Sequence, residues 1–150
     1  MGTINVEYSS VINAKPADVY AVFRDYRGSH PAILPKPYFE TITVTEGGIG
    51  AGTKFRADMN IFGSKSTINM VVTEPKPGHT IMEEDASIGL KTWFIHDAVE
   101  NGQKTRVTLR TEARQSKGVQ GWIERLVMGP SLRMIYKKEL ANVEAYLAKK

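Results

Sequence analysis

The stretch Val119–Ala148, VQGWIERLVMGPSLRMIYKKELANVEAYLA, decides how the rest of the chain is read. In its second half Leu132, Tyr136, Leu140, Val143 and Leu147 follow one another at steps of three or four residues, which trace one face of a helix. Val119, Trp122, Ile123, Leu126 and Val127 repeat that spacing in the first half. Gly129-Pro130 stands between the halves. A helix-interior proline loses a backbone hydrogen bond and clashes with the preceding turn, so a kink or break is expected there. Arg125, Arg133, Lys137, Lys138 and Glu144 take the wet side. Unbroken, the segment would run about 45 Å at ~1.5 Å per residue. An apolar stripe of that length needs an extended partner surface.

The 150 residues favour one domain, 1–150, with a substantial core. An apolar fraction of 41% with 24% charged residues is that of a folded domain rather than a disordered chain. With no cysteine, disulfides, thiolate chemistry and zinc-cysteine sites are excluded. No apolar run approaches the ~18–20 residues that span a bilayer, so no stable membrane insertion is expected. The N-terminus lacks a basic segment followed by an apolar one, and Val6 occupies the position where a myristoylation signal wants Ser or Thr. A cytoplasmic location is the default expectation. The net charge of +4 is uneven: residues 104–150 carry 11 Lys/Arg and 4 Asp/Glu, whereas residues 1–103 carry 9 and 12. The basic residues alternate with apolar ones, which is the pattern of a solvated face. No nucleic-acid-binding signature accompanies them, so no nucleic acid is expected as partner. The sequence specifies no oligomeric state.

Taken from the start, Ile4, Val6, Tyr8, Ser10 and Ile12 alternate as a half-buried strand. Pro16 is preorganised to open a helix over about 16–26, with Asp18 near its positive end and Val19, Val22, Phe23 and Tyr26 at helical spacing. Ser29 can cap a second, very short helix expected through Leu34, which Pro35 and Pro37 stop. From 38 to 112 the period becomes two, which predicts six strands at about 38–46, 52–62, 65–74, 79–85, 90–99 and 104–112. Short connections make successive strands antiparallel neighbours. Asn101-Gly102 is the strongest hairpin signal, because a type I′ turn needs positive φ at both central positions. It sets His96 opposite Val107, Phe94 opposite Leu109 and Thr92 opposite Thr111. One face then collects Phe94, His96, Val107 and Leu109; the other collects Trp93, Ile95, Arg106 and Arg110. The first is the better inner face, since the arginines belong in water; a bulge returning Trp93 and Ile95 inward is the alternative. In the preceding strands the inner sets are Phe55, Ala57, Met59, Ile61 and Ile68, Met70, Val72.

The expected fold class is therefore α+β: a seven-stranded antiparallel curved sheet gripping a long C-terminal helix, with two short helices after strand 1. Ile12-Asn13-Ala14-Lys15-Pro16 before Val19-Tyr20, the Glu46-Gly47-Gly48-Ile49-Gly50-Ala51-Gly52-Thr53 loop, the Gly102-Gln103-Lys104-Thr105-Arg106-Val107 hairpin and the terminal amphipathic helix carry a resemblance. Together they resemble the START-like, helix-grip or birch-pollen-allergen-like superfamily, and within it the bacterial SRPBCC and polyketide cyclase/dehydrase proteins. The resemblance implies a hydrophobic tunnel between sheet and last helix that holds lipids, sterols, polyketides or plant hormones. It also implies a glycine-rich loop that helps line the cavity mouth.

The glycine-rich loop is not a phosphate cradle, because a strand rather than a helix follows it and no Gly-Lys-Ser/Thr is present. It reads as a flexible strand connection. His30, His79 and His96 have no metal-ligand spacing, so neither metal nor cofactor is expected, and no Gly-x-Ser-x-Gly elbow supports a hydrolase. Glu83, Glu84 and Asp85 form an acidic cluster of the kind that is usually solvated, with one or two of them at most facing inward. Met59, Met70, Met82, Met128 and Met134 suit an adaptable apolar cavity, as they also suit ordinary packing. The candidate ligand-binding residues are Phe23 on the first short helix, Ile33 and Leu34 near the mouth, and Phe55, Met59, Met70, Phe94 and Leu109 on the sheet. Trp122, Leu126, Leu132 and Tyr136 line it from the helix. His96 is the most interesting polar candidate, as an acid/base group or as a hydrogen-bonded core residue.

The reading that follows is a protein that binds a hydrophobic small molecule or lipid, polyketide-, sterol- or fatty-acid-like. The enzyme alternative is a polyketide cyclase, aromatase or dehydratase using His96. A third is a protein-partner module, as in the coenzyme Q-binding and chaperone-activator relatives.

Overall fold

The computed structural model describes residues 3–61, 63–114 and 131–149. The chain runs β1 (Thr3–Ile12), α1 (Pro16–Arg24), α2 (Ser29–Ile33), β2 (Phe39–Glu46), β3 (Lys54–Ile61), β4 (Ser64–Lys76), β5 (Thr80–Asp85), β6 (Leu90–Val99), β7 (Lys104–Arg114) and α3 (Ser131–Ala148). The predicted element order is the observed one. Bounds move by a few residues: α1 ends at Arg24 because Asp25 turns to extended backbone, and β4 and β7 each run two residues further. The proposed helical half over 119–130, with its kink at Gly129-Pro130, lies outside the described residues.

All seven strands form one antiparallel sheet in the order β1-β7-β6-β5-β4-β3-β2. Register shifts between Phe39 and Thr41, Val44 and Glu46, and Thr73 and Lys76 place irregularities in β2 and β4, where extra residues bend a sheet. The hairpin has the predicted register: Phe94 pairs with Leu109 and His96 with Val107. Its turn has Asn101 at φ 58° and Gly102 at φ 80°, closed by Gln103 N–H donating to Glu100 O at 3.2 Å. Phe94, His96, Val107 and Leu109 are all buried, so the first of the two faces points inward. Trp93 is comfortable on the outside because the Arg110 guanidinium lies over its ring, 5.0 Å from the centroid.

The inner face continues through Phe55, Ala57 and Met59 on β3 and Ile68, Met70 and Val72 on β4. Across it lies α3, which buries Leu132, Ile135, Tyr136, Glu139, Leu140 and Val143. Those residues extend the predicted stripe by Ile135 and Glu139, while Leu147 is half-buried. Two polar ties hold α3 in place: Asn142 Nδ2 donates to Ile33 O of α2 at 3.0 Å, and Glu144 Oε2 accepts from Asn13 N–H at 3.1 Å. Burying each Leu, Ile or Val side chain contributes about 1.5–3 kcal/mol, so the stripe outweighs either tie.

The glycine-rich loop is tied down rather than loose, which corrects the flexible-connection expectation. Tyr26 N–H donates to Gly48 O at 2.8 Å and Gly50 N–H to Arg24 O at 2.9 Å. Ala51 N–H donates to Glu74 Oε2 at 2.9 Å, and Tyr20 O–H and Arg24 Nε–H reach Glu74 Oε1 at 2.6 and 3.1 Å. Burial opposes ionisation of Glu74, but these donors outweigh it and hold its pKa below the usual carboxylate value. Gly50 has φ 64°, and an added Cβ would stand 2.6 Å from Glu74 Oε2. Gly50→Ala is therefore expected to cost about 1–3 kcal/mol, read as a lower urea midpoint with an unchanged slope; a neutral result would contradict the tie.

Candidate functional site

Between sheet and helices lies a cavity of about 70 Å³. Strands β2, β3 and β4 give it Phe39, Ile42, Phe55, Ala57, Met59, Ile68 and Met70. Strands β5 to β7 add Glu83, Leu90, Thr92, Phe94 and Thr111, and α3 adds Leu132, Tyr136 and Glu139. Tyr26, His30, Pro31 and Leu34 complete the described lining. The walls are mainly apolar because alternate residues of each strand face one way.

The polar groups are concentrated along one row. Glu83 pairs with Thr92 and Thr92 with Thr111 across β5, β6 and β7. The Thr92 and Thr111 hydroxyls are 2.9 Å apart, and Thr111 Oγ1 is hydrogen-bonded to the Tyr136 hydroxyl. At the other end of the row Tyr26 O–H donates to Glu83 Oε2 at 2.7 Å. The Tyr26 ring stacks on Phe55 with centroids 5.0 Å apart, and lies 4.6 Å from the His30 ring. His30 Nδ1–H donates to Phe23 O at 2.7 Å, which identifies its tautomer. Burial lowers the His30 pKa to about 4, so the imidazole is neutral at neutral pH.

Two carboxyl groups share this apolar surrounding. Burial pushes Glu83 up to about 7, offset only in part by the Tyr26 hydrogen bond. Burial, and then the Glu83 charge, pushes Glu139 up to about 8. Glu139 is 2% exposed, and its Oε2 has no hydrogen-bond partner among the described residues. Burial, then the Glu139 charge, raises Tyr136. Two carboxyls titrating near neutrality can give and take a proton, and can accept hydrogen bonds from a guest.

Of the residues singled out from sequence, Leu34, Phe55, Met59, Met70, Phe94, Leu132 and Tyr136 meet in this cavity. Trp122 and Leu126 lie outside the described residues. Phe23, Ile33, His96 and Leu109 are buried but do not line it. The reason is α1, which packs over the far end of β6 and β7. There the Tyr20 and Phe23 rings sit edge-on to His96 with centroids 5.1 and 5.5 Å away. His96 Nδ1–H donates to His79 O at 3.0 Å, and burial lowers its pKa to about 4. His96 is thus a neutral core histidine, set apart from the cavity. No residue of the glycine-rich loop lines the cavity either.

The solvated reading of the acidic cluster is also corrected. Glu83 and Asp85 are 7% and 6% exposed, because they share the parity of Ile81 on β5. Asp85 accepts from Asn69 N–H and from the Ser87 backbone and hydroxyl, so it serves the β5–β6 turn. Glu139 was legible in principle: it stands seven residues from Leu132, three from Tyr136 and four from Val143, on the apolar stripe. Among the described residues no cluster of His, Asp and Glu is arranged to hold a metal ion. No described helix is long and apolar enough to cross a membrane.

A sheet wrapped on a terminal helix with an apolar cavity between them defines a helix-grip protein. The family model for polyketide cyclase / dehydrase and lipid transport matches residues 3–148, and the chain belongs to that family. The KanY protein, solved by NMR, is 29% identical, with 99% of each chain covered and a TM-score of 0.81. The Zhui aromatase/cyclase from a Streptomyces species is 14% identical over 97% of this chain and 93% of its own, with a TM-score of 0.72. A START superfamily protein from Mycobacterium smegmatis is 14% identical over 95% and 99%, with a TM-score of 0.71. The search of curated proteins found no match.

Proposed function

We propose that this protein binds a hydrophobic small molecule or lipid, polyketide- or sterol-like in its carbon skeleton, between the sheet and α3. The observation that carries this reading is the apolar cavity with its single row of polar groups, the composition typical of small-molecule sites. The family description and the aromatase/cyclase neighbour support the same ligand class. A fatty-acid carboxylate suits the site less well, since a third carboxyl beside Glu83 and Glu139 would meet no lysine or arginine among the described lining residues. Affinity comes from desolvation, at ~25 cal/mol per Å² of apolar surface buried. The cavity is about half the ~150 Å³ that admits benzene in an engineered core, so a larger guest requires the walls to yield. Met59 and Met70, unbranched and flexible, are the side chains suited to do so. Catalysis by His96 has no support, because that imidazole does not reach the cavity. Among the described residues the exposed large apolar ones are Val11 on β1, Ile49 on the glycine-rich loop and Val71 on β4, with β1 and β4 separated by β7, β6 and β5; so few and partly scattered, they give little support to a protein-docking role.

Native mass spectrometry of detergent-free protein, with thermal shift against apolar compounds, tests the reading. A bound lipid or polyketide, or a ligand-dependent rise in Tm, is expected. Ala57→Met, which extends a side chain into the cavity from β3, is expected to abolish that rise while changing unliganded stability by no more than about 2 kcal/mol. No adduct and no stabilising ligand across such a panel would remove the proposal.

A further inference from the structure

The cavity carries two carboxyl groups and, among its described lining residues, no lysine or arginine. Its one histidine, His30, has committed its Nδ1 proton to Phe23 O. Glu83 has a partial match in the Tyr26 hydroxyl, but Glu139 Oε2 is buried with no donor among the described residues. With no such donor, burial and the neighbouring Glu83 keep Glu139 protonated near neutral pH, and it can ionise only if a guest brings donors and positive charge together. What is missing is a donor that also brings positive charge. A hydroxyl brings one donor and no positive charge, and an anion brings neither. An ammonium group supplies three donors and a unit charge, and the stacked Tyr26 and Phe55 rings offer it an aromatic face as well.

We propose that the cavity takes a hydrophobic amine, its ammonium lodged at the Glu83–Glu139 carboxyls and its carbon body against the apolar wall around Phe55. This rests on the hydrophobic-ligand reading above and names the head group that the site selects. The titratable groups facing the ammonium are Tyr26 and His30 from the α1–α2 side, Glu83 from β5, and Tyr136 and Glu139 from α3. Because Glu139 holds its proton in the empty cavity near neutral pH, seating a cation there expels a proton.

The test is isothermal titration calorimetry of the full chain with benzylamine, benzyl alcohol and benzoate, near neutral pH and in two buffers of different ionisation heat. Benzylamine is expected to bind at least about tenfold more tightly than benzyl alcohol, a difference of ~1.4 kcal/mol, with benzoate weakest. Its apparent enthalpy should differ between the buffers as a proton is released, while that of the alcohol should not. Glu139→Gln is expected to weaken the amine about tenfold and to leave the alcohol within about twofold; Glu83→Gln provides an independent check on the other carboxyl. Equal or tighter binding of the alcohol, or an amine preference that survives in both variants, overturns the amine inference and leaves the hydrophobic-ligand reading standing. Silence from all three probes, with no adduct in native mass spectrometry, overturns both.

Discussion

Replacing Glu139 by glutamine raises the melting temperature at pH 8 and changes it little at pH 5. Glu139 and Glu83 titrate at about 8 and about 7 in the folded protein, against ~4.3 for a glutamate in an unfolded chain. The folded state therefore keeps protons that the unfolded state releases. The stability tied to those protons is fully present below pH ~4.3 and is lost as pH climbs toward 8. His30 and His96 run the other way: both are lowered to about 4, so their contribution is present above the ordinary histidine value and lost as pH falls. The two pairs offset each other between roughly pH 4.5 and 6.5, and the net decline is concentrated above that range. Glutamine cannot ionise, so it escapes the decline. A gain of about 2–4 kcal/mol at pH 8 is expected, or about 5–15 °C in Tm, shrinking to ~1 kcal/mol at pH 5. Scanning calorimetry of both proteins across this range checks it; a variant less stable than the parent at pH 8 would mean that the carboxyl is not held in an apolar surrounding.

The second large effect separates the packed end of the grip from the open end. Phe23 is fully buried, with the rings of Phe94, His30 and His96 at 5.2, 5.4 and 5.5 Å. Phe23→Ala should cost about 3–5 kcal/mol. Met70 is nearly as buried but borders the cavity. Part of its side chain therefore meets empty space, and its truncation forfeits fewer contacts, so Met70→Ala should fall near the lower end, about 2 kcal/mol. Urea unfolding of the two variants measures the difference. If Met70→Ala is the more damaging, the cavity is misplaced.

The architecture was readable because its determinants are local and repeated. The Asn101-Gly102 turn set the register that placed Phe94 beside Leu109, and the alternation in β3 and β4 named inner residues that are indeed buried. The site was read less well, because which part of an inner face stays uncovered depends on a helix from elsewhere in the chain. Period and register place His96 and Phe94 on one face but do not show that α1 seals only the first. Glu83 and Glu139 were passed over for a different reason. Each sits at an apolar position of its own period, where a charged side chain is not expected. Parity was the better guide at both, since strand and helix geometry determine where a side chain points before its chemistry does.

The pairing of β1 with β7, from Thr3 opposite Arg114 to Ile12 opposite Thr105, has a bearing on how the chain is made. During synthesis β1 has no ladder to join until β7 appears roughly a hundred residues later, and the entropy of so wide a closure delays its docking. The meander from β2 to β7 can zip up hairpin by hairpin meanwhile. β1 thus remains without its strand partner until β7 has been made, and it is a segment that a nascent-chain chaperone has reason to hold.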